Sequence, residues 1–204
     1  MPNLSPINFY FDFSSPYGYL AAEMIEELGQ RCGRTVNWHP MLLGVVFKTT
    51  GGQPLTMAPM KGPYSERDMR RSAAFYGVPF NMPTVFPIAT QNPARAVLWM
   101  QQKHPAHAKK FTLELYRAFF RGDRDISKLD VVGDIAASLG FSADEVIAAT
   151  QSDDIKNQLK ANVEAAIAKG VFGAPFFIVD DEQFWGADRL PMMEQWINRG
   201  GWRY

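Results

Sequence analysis

The chain has 204 residues, of which 47% are hydrophobic and 21% charged, with 21 basic and 21 acidic side chains. This composition is typical of a folded globular protein and excludes an intrinsically disordered chain, and the balanced charge offers no long-range attraction to nucleic acid or to an anionic membrane. One cysteine, Cys32, excludes an intrachain disulfide, a dithiol redox centre and a multi-cysteine metal site. Because no apolar run is long enough to span a membrane and no basic residue precedes the first one, we expect a cytoplasmic protein.

The beginning of the chain predicts a strand, a helix and a second strand. Residues 7–13 alternate apolar and more polar side chains, as a half-buried strand does. Apolar residues spaced by four follow, with Ser15 as the predicted helix N-cap and Pro16 at the first helical position. Gly33 ends this helix, and residues 35–41 are the second strand candidate.

The middle of the chain predicts a loop followed by a helical block. The Gly51-Gly52 pair and three prolines before residue 64 mark a loop. Residues 65–170 show successive apolar stripes at helical spacing. A capping box begins at Ser142, and a similar pattern begins at Ser127.

The end of the chain returns to strands. A short apolar run at 176–179 and residues 183–185 predict a hairpin, and residues 189–198 predict a final helix. This order is that of an α/β protein with a thioredoxin-like fold and an inserted all-helical domain. We therefore expect residues 1–61 and 171–204 to form the thioredoxin-like domain and residues 62–170 to form the helical insertion.

The turn into the first helix is the first candidate site. Unpaired N–H groups and the helix dipole favour negative charge there, and thioredoxin-type oxidoreductases place a Cys-x-x-Cys motif at this point. The two cysteine positions hold Ser15 and Gly18, so the site suits a thiolate carried by a ligand, glutathione being the obvious one. Ser15 then donates a hydrogen bond to the sulfur. The alternatives are that Ser15 serves only as an N-cap, or that it is itself a nucleophile, although no histidine motif supplies its base.

Two later motifs extend this site. Pro175 precedes an apolar strand, where thioredoxin-type domains keep a cis-proline, and the backbone of Ala174 would then pair with a bound peptide such as glutathione. The alternative is an ordinary trans-proline at a strand start. In the segment 185–190, Asp188 and nearby N–H groups predict a site for a γ-glutamyl group, or Asp188 is only a helix cap.

Four motifs in one order carry a resemblance to a known family. They are Phe11-Asp12-Phe13-Ser14-Ser15-Pro16-Tyr17, Lys61-Gly62-Pro63-Tyr64, Phe172-Gly173-Ala174-Pro175 and Trp185-Gly186-Ala187-Asp188-Arg189-Leu190. Together they resemble the 2-hydroxychromene-2-carboxylate isomerase family and the related kappa-class glutathione transferases. The resemblance implies a homodimer that binds glutathione through Ser15 at the sulfur, the Ala174 backbone, residues 185–188 at the γ-glutamyl group and Lys61 at the glycyl end.

The resemblance also implies a reaction. It is the glutathione-dependent interconversion of 2-hydroxychromene-2-carboxylate and trans-o-hydroxybenzylidenepyruvate, a step of naphthalene and related aromatic breakdown. Lys48 and Lys61 are candidates to bind the aromatic substrate's carboxylate, or they are solvated loop lysines. The alternatives are a kappa-like transferase that conjugates aromatic electrophiles and a non-catalytic binding protein of the same fold.

Two departures from the family's pattern affect the substrate rather than glutathione. The family's Gly-Asn pair is Gly51-Gly52 here, and the loop at 86–92, which helps to line the isomerases' substrate cavity, matches poorly. No metal site is expected, because His104 and His107 have no evident third ligand.

Overall fold

A computed structural model describes residues 4–202 as one four-stranded sheet surrounded by helices. The strands are β1 (Ile7–Phe11), β2 (Val36–Pro40), β3 (Phe176–Val179) and β4 (Glu182–Trp185). The helices are α1 (Pro16–Arg31), α2 (Leu43–Thr50), α3 (Lys61–Tyr76), α4 (Gln91–Lys103), α5 (Pro105–Phe120), α6 (Leu129–Ser138), α7 (Ala143–Gln151), α8 (Asp153–Ala168) and α9 (Leu190–Arg199). Short 3-10 turns occupy Leu55–Met57 and Ala187–Arg189.

The sheet has the order β2-β1-β3-β4, with β1 parallel to β2 and antiparallel to β3. Phe9 at the centre of β1 pairs with Trp38 on one side and with Phe177 on the other. Its ring stacks on that of Phe177 at 5.3 Å and meets the Trp38 indole edge-on at 5.0 Å. These cross-strand aromatic pairs fix the register of the central strands.

Both faces of the sheet are buried, because side chains of β1 alternate between two cores. Phe9 and Phe11 belong to the core formed with α1 and α5. Tyr10 belongs to a second core, with Phe176 and the α8 residue Leu159. Helices therefore cover both faces of the sheet, although the face of Tyr10 also carries the polar residues Asn8 and His39.

The α/β thioredoxin-like fold with helices between β2 and β3 is confirmed, as is the capping of α1 by Ser15. Ser142 caps α7 as predicted, since its hydroxyl accepts the N–H of Glu145, which is one of the two hydrogen bonds of a capping box. The similar pattern at Ser127 is not a capping box, because its hydroxyl donates to Asp125 and α6 begins only at Leu129.

Two boundaries in the middle of the chain differ from the predictions. Helix α2 had no predicted counterpart, and α3 begins at Lys61, inside the predicted loop. A β-carbon on Gly62 would lie 2.6 Å from the carbonyl oxygen of Thr56, so only glycine lets α3 start this close to the preceding 3-10 turn. The division of the chain after residue 61 stays a prediction. Within residues 4–202, none of the helices combines the length and the apolar character that a bilayer crossing requires.

Candidate functional site

The site begins at the N-terminus of α1, where Ser15 is only 5% exposed. Its hydroxyl oxygen accepts the N–H of Gly18 at 3.0 Å, and its hydrogen is donated to the carbonyl oxygen of Ala174 at 2.8 Å. Pro16 has no N–H, so the N–H of Tyr17 is the first of the helix, and helix geometry provides no partner for it. The end of α1 therefore presents a hydroxyl and an N–H in a positive helix-dipole field.

The loop before β3 forms the opposite side of the site. The Ala174–Pro175 peptide bond is cis, as the motif predicted, and Ala174 is half-buried. Antiparallel pairing of β3 with β1 brings this loop beside Ser15 although 159 positions separate the two residues. The indole of Trp185 packs directly on Gly173, where a β-carbon would collide with its ring nitrogen.

The turn that follows β4 is held to the same loop. The N–H of Gly186 donates to the carbonyl of Pro175 at 3.0 Å. Gly186 has a φ of +108°, a left-handed conformation that favours glycine, and the exposed carboxylate of Asp188 folds back toward it. Asp188 is exposed and pairs with Arg189, whereas the side chain of Ala187 is buried in the core and only its backbone is available.

A cavity of about 440 Å³, the first cavity, opens between these elements. It is lined by Ser15 and Tyr17 at the start of α1, by Ala174 and Trp185 across from them, and by the α3 residue Met69 from the helical part of the chain. None of the described residues that line this cavity carries a charge. The cavity therefore suits an uncharged or aromatic group placed next to the hydroxyl of Ser15.

A second cavity of about 600 Å³ adjoins the first and shares Ser14, Phe47 and Gln53 with it. Its walls include two ionisable residues, Asp12 and Lys48. Lys48 is exposed in the last turn of α2, so its ammonium group is available to a ligand at the cavity mouth. The two cavities together provide an apolar space beside α1 and a polar space with one cation.

Asp12 is a buried carboxylate that the sequence interpretation gave no role. It is 2% exposed and accepts hydrogen bonds from the N–H and hydroxyl of Ser14 and from the N–H of Leu43, which begins α2. Burial raises the pKa of the Asp12 carboxyl, and hydrogen bonds from Ser14, Leu43 and Thr90 oppose this rise. Asp12 thereby joins the turn before α1 to the start of α2, two walls of the site.

Tyr17 connects the mouth of α1 to α3. Its hydroxyl donates to Asp68 at 2.7 Å, and Arg71 also binds that carboxylate. Burial, together with the nearby Asp68 carboxylate, raises the pKa of Tyr17, so the phenol stays protonated. Burial would raise the Asp68 pKa, but the hydrogen bonds from Tyr17 and Arg71 outweigh it and lower that pKa. The pair holds α3 against the site.

The predicted site residues are only partly gathered around one cavity. Ser15, Ala174 and Trp185 line the first cavity, Gly186, Ala187 and Asp188 form the adjoining turn, and Pro175 accepts the N–H of Gly186. Lys48 lies on the second cavity, and Lys61 is exposed at the start of α3, outside the lining of both. The loop at 86–92, which matched the family poorly, still contributes Phe86 and Pro87 to the first cavity.

The chain itself brings no thiol to this site. Cys32 lies at the opposite end of α1 from Ser15, and burial raises the pKa of its thiol. Gly18, at the second cysteine position of oxidoreductases, has no space for a side chain: a β-carbon would lie 2.9 Å from the hydroxyl oxygen of Tyr116. Disulfide exchange by the protein's own residues is therefore excluded at this site, whereas stabilisation of a ligand's anion is not.

Comparisons with known proteins agree with the predicted resemblance. The family described as "DSBA-like thioredoxin domain" matches residues 6–198. A 2-hydroxychromene-2-carboxylate isomerase from Sphingobium xenophagum is 30% identical over 193 residues, which cover 94% of this chain and 97% of the relative. A protein named glutathione S-transferase kappa 2 from Caenorhabditis elegans is 28% identical over 211 residues, covering 97% and 93%.

The solved structures include a 2-hydroxychromene-2-carboxylate isomerase with a TM-score of 0.86 to this chain and 26% sequence identity. The match covers 95% of this chain and 94% of that structure. The relatives are therefore named as enzymes of two kinds, an isomerase and a glutathione transferase, and the similarity extends over nearly the whole length of each.

Proposed function

Because the chain belongs to the DsbA-like thioredoxin-domain family, we propose that it is an enzyme that replaces the family's cysteine chemistry with the thiolate of bound glutathione. One observation carries the proposal. The cysteine positions hold Ser15 and Gly18, and Ser15 faces an uncharged cavity with its hydroxyl at a helix N-terminus. Relatives that are named as glutathione transferases and as isomerases support it.

Ser15 is the proposed catalytic residue, as a hydrogen-bond donor to the glutathione sulfur. A hydrogen bond to a charged group contributes about 1.5–3 kcal/mol. This free energy corresponds to a decrease of roughly one to two units in the thiol pKa. From a reference near 8.5, much of the bound thiol would then be ionised at neutral pH.

The rest of glutathione is proposed to extend from the first cavity in two directions. Its cysteinyl backbone pairs with Ala174 next to Pro175, and its γ-glutamyl group lies over the turn formed by residues 185–188. Its charged ends lie outside the uncharged cavity, with the α-amino group near Asp188 and the glycyl carboxylate toward Lys61. Partial burial of the peptide between Trp185 and α1 supplies the apolar contacts.

The proposed reaction is the isomerisation of 2-hydroxychromene-2-carboxylate to trans-o-hydroxybenzylidenepyruvate through its ring-opened form. The thiolate adds to a carbon of the conjugated chain, and the electron pair of the double bond moves to the carbonyl oxygen as an enolate. The former double bond then rotates as a single bond. The enolate reforms the double bond and expels the thiolate, so glutathione is regenerated. Lys48 is proposed to bind the carboxylate, with the aromatic ring in the first cavity.

The test combines binding and turnover. Glutathione at millimolar concentration should bind and produce thiolate absorbance at 240 nm, and Ser15→Ala should raise the pKa of the bound thiol by about one to two units and slow turnover. Isomerisation should require glutathione without consuming it. An unchanged thiol pKa and an unchanged rate in Ser15→Ala would refute the role of Ser15.

A kappa-like glutathione transferase is the second candidate, and the uncharged lining of the first cavity favours it, since a neutral aromatic electrophile needs no cation. Net consumption of glutathione with such an electrophile would identify transfer. Failure to bind glutathione at millimolar concentration would instead favour a non-catalytic binding protein of the same fold. A cytoplasmic location and a homodimer also stay predictions, to be tested by cell fractionation and by size-exclusion chromatography.

A further inference from the structure

The single hydroxyl hydrogen of Ser15 is directed away from the place of the proposed sulfur. Its oxygen lies 2.8 Å from the carbonyl oxygen of Ala174, and because a carbonyl cannot donate, the hydrogen must come from Ser15. The lone pairs of the same hydroxyl face the N–H of Gly18. Ser15 therefore has no second hydrogen to offer to an anion, and donation to sulfur requires that its bond to Ala174 breaks.

Breaking that bond has a cost. Ala174 is half-buried beside Ser15, which is 5% exposed, and it lines the first cavity, so a ligand that fills this cavity displaces the water that could replace the lost donor. A carbonyl left without a hydrogen-bond donor is unfavourable. The loss of its bond to Ser15 therefore opposes rotation of the Ser15 hydroxyl toward a ligand. A simple thiol that enters the first cavity brings no group to offset it.

A peptide ligand does bring such a group. A segment that pairs with residue 174 as an added strand donates a backbone N–H to the Ala174 carbonyl. We propose that the cysteinyl N–H of glutathione takes the place of the Ser15 hydroxyl on the Ala174 carbonyl, and that this exchange frees Ser15 to donate to the thiolate. The inference rests on the proposed function and deepens it, because it couples peptide recognition to thiol ionisation.

The exchange predicts specificity among thiols. The thiol proton is released to solvent, and the sulfur then accepts hydrogen bonds from the Ser15 hydroxyl and from the Tyr17 N–H. Thiols with an amide N–H on the thiol-bearing residue would be ionised on binding. Thiols without this N–H would occupy the same cavity with a pKa close to their value in water.

A matched pair of ligands tests the exchange. Glutathione is compared with its depsipeptide analogue, in which an ester oxygen replaces the cysteinyl N–H and leaves the shape almost unchanged. Each ligand is titrated against pH at saturation, with the thiolate absorbance at 240 nm as the readout. We expect the pKa of the bound analogue to lie about one unit above that of bound glutathione, which is a tenfold difference in ionisation constant.

Two variants show whether the difference in bound pKa between the two ligands depends on the Ser15 hydroxyl. In Ser15→Ala the two ligands should have the same bound pKa, because no hydroxyl remains to be freed. In Ser14→Ala, whose hydroxyl bonds to Asp12 rather than Ala174, the difference should persist. Equal pKa values for the two ligands in the unmodified protein, or a difference that survives in Ser15→Ala, would overturn the exchange while glutathione binding stands. Absence of glutathione binding would overturn the proposed function itself.

Discussion

A β-carbon on Gly18 would lie 2.9 Å from the hydroxyl oxygen of Tyr116, a side chain that is fully buried. The hydroxyl has no freedom to withdraw, because it donates to the carbonyl oxygen of Asp12 at 2.9 Å. The site thus differs from a dithiol centre in its packing as well as in its residues. Placing cysteines at positions 15 and 18 would not by itself recreate an oxidoreductase.

Gly18→Ala should destabilise the protein even though alanine is the better helix former. Overpacking costs about 1–3 kcal/mol, against a helix-propensity gain of about 1 kcal/mol. Gly44→Ala is the control, since Gly44 lies early in α2 with open space around its α-carbon, and it should lose no stability. Urea unfolding of both variants measures the difference. If the two alanines behave alike, the contact with Tyr116 is not the cause.

A double-mutant cycle assigns the effect to the hydroxyl. Tyr116→Phe removes the oxygen that a β-carbon on Gly18 would meet, although it also loses the hydrogen bond to Asp12. Gly18→Ala should therefore cost less in the Tyr116→Phe background than in the unmodified protein. Additive costs would argue against direct contact between the two positions.

Gly173→Ala should weaken glutathione binding with little loss of stability. The new methyl group would displace the indole of Trp185 from the first cavity, and Trp185 is already 55% exposed. We expect the Kd for glutathione to rise about tenfold, which equals about 1.4 kcal/mol. Isothermal titration calorimetry measures the change. In the Trp185→Ala background the same substitution should add little, and an undiminished further loss would contradict the proposed contact.

Lys48 and Lys61 should affect different ligands. Lys48→Met should raise the KM for a carboxylate-bearing substrate about two- to fivefold, as expected for a solvent-exposed ion pair worth up to about 1 kcal/mol. It should leave a neutral electrophile unaffected. Lys61→Met should instead raise the Kd for glutathione by a similar factor. Steady-state kinetics with both acceptor types separates the two lysines, and equal effects of Lys48→Met on both types would argue against a carboxylate contact.

His39 should make the stability of the fold depend on pH. Burial, with a smaller effect of Lys169, lowers the pKa of His39 to about 4, while its Nε2 donates to Asn8 at 2.9 Å and its ring stacks on Tyr10. As pH falls below about 6.5, the unfolded chain takes up this proton first, so stability decreases until about pH 4. The loss from this residue amounts to roughly 3 kcal/mol at most.

Urea unfolding at pH 7 and pH 4.5 measures the His39 effect. His39→Gln keeps a donor for Asn8 but cannot titrate, so it should reduce the stability difference between the two pH values by roughly 2 kcal/mol. Other groups titrate equally in both proteins and cancel in the comparison. A difference as large in His39→Gln as in the unmodified protein would show that another group is responsible.

The sequence predicted the elements whose signals are local. Alternation identified β1, and Ser15 and Pro16 marked the start of α1, because a cap and a proline act within one helical turn. Helix α2 escaped prediction since its sequence contains a glycine and β-branched residues, which favour helices weakly. Its first N–H is bound by the distant carboxylate of Asp12, an interaction that no local pattern reveals.

In the candidate site, too, residues with a local sequence signal were predicted and residues that act through distant contacts were not. Ser15, Ala174 and Trp185 belong to recognisable motifs, and the structure brings them to one cavity. Asp12 lies within the first of the four family motifs, but its role depends on partners in α2 and before α4 that only the folded chain supplies. Tyr116 belongs to no motif and contributes through one oxygen beside Gly18. Such tertiary contacts determine which residue types fit, and a single sequence does not display them.

Ser15 and Ala174, which meet at the first cavity, come from opposite ends of the chain, and this has a consequence for synthesis. Strand β1 lies in the middle of the sheet, yet its neighbour β3 is translated some 160 residues later. Until β3 leaves the ribosome, β1 presents one unpaired edge, and Ser15 has no Ala174 to bond. The helical block can fold during that interval. The free edge of β1 therefore stays open to pairing with other chains until most of the protein has been synthesised.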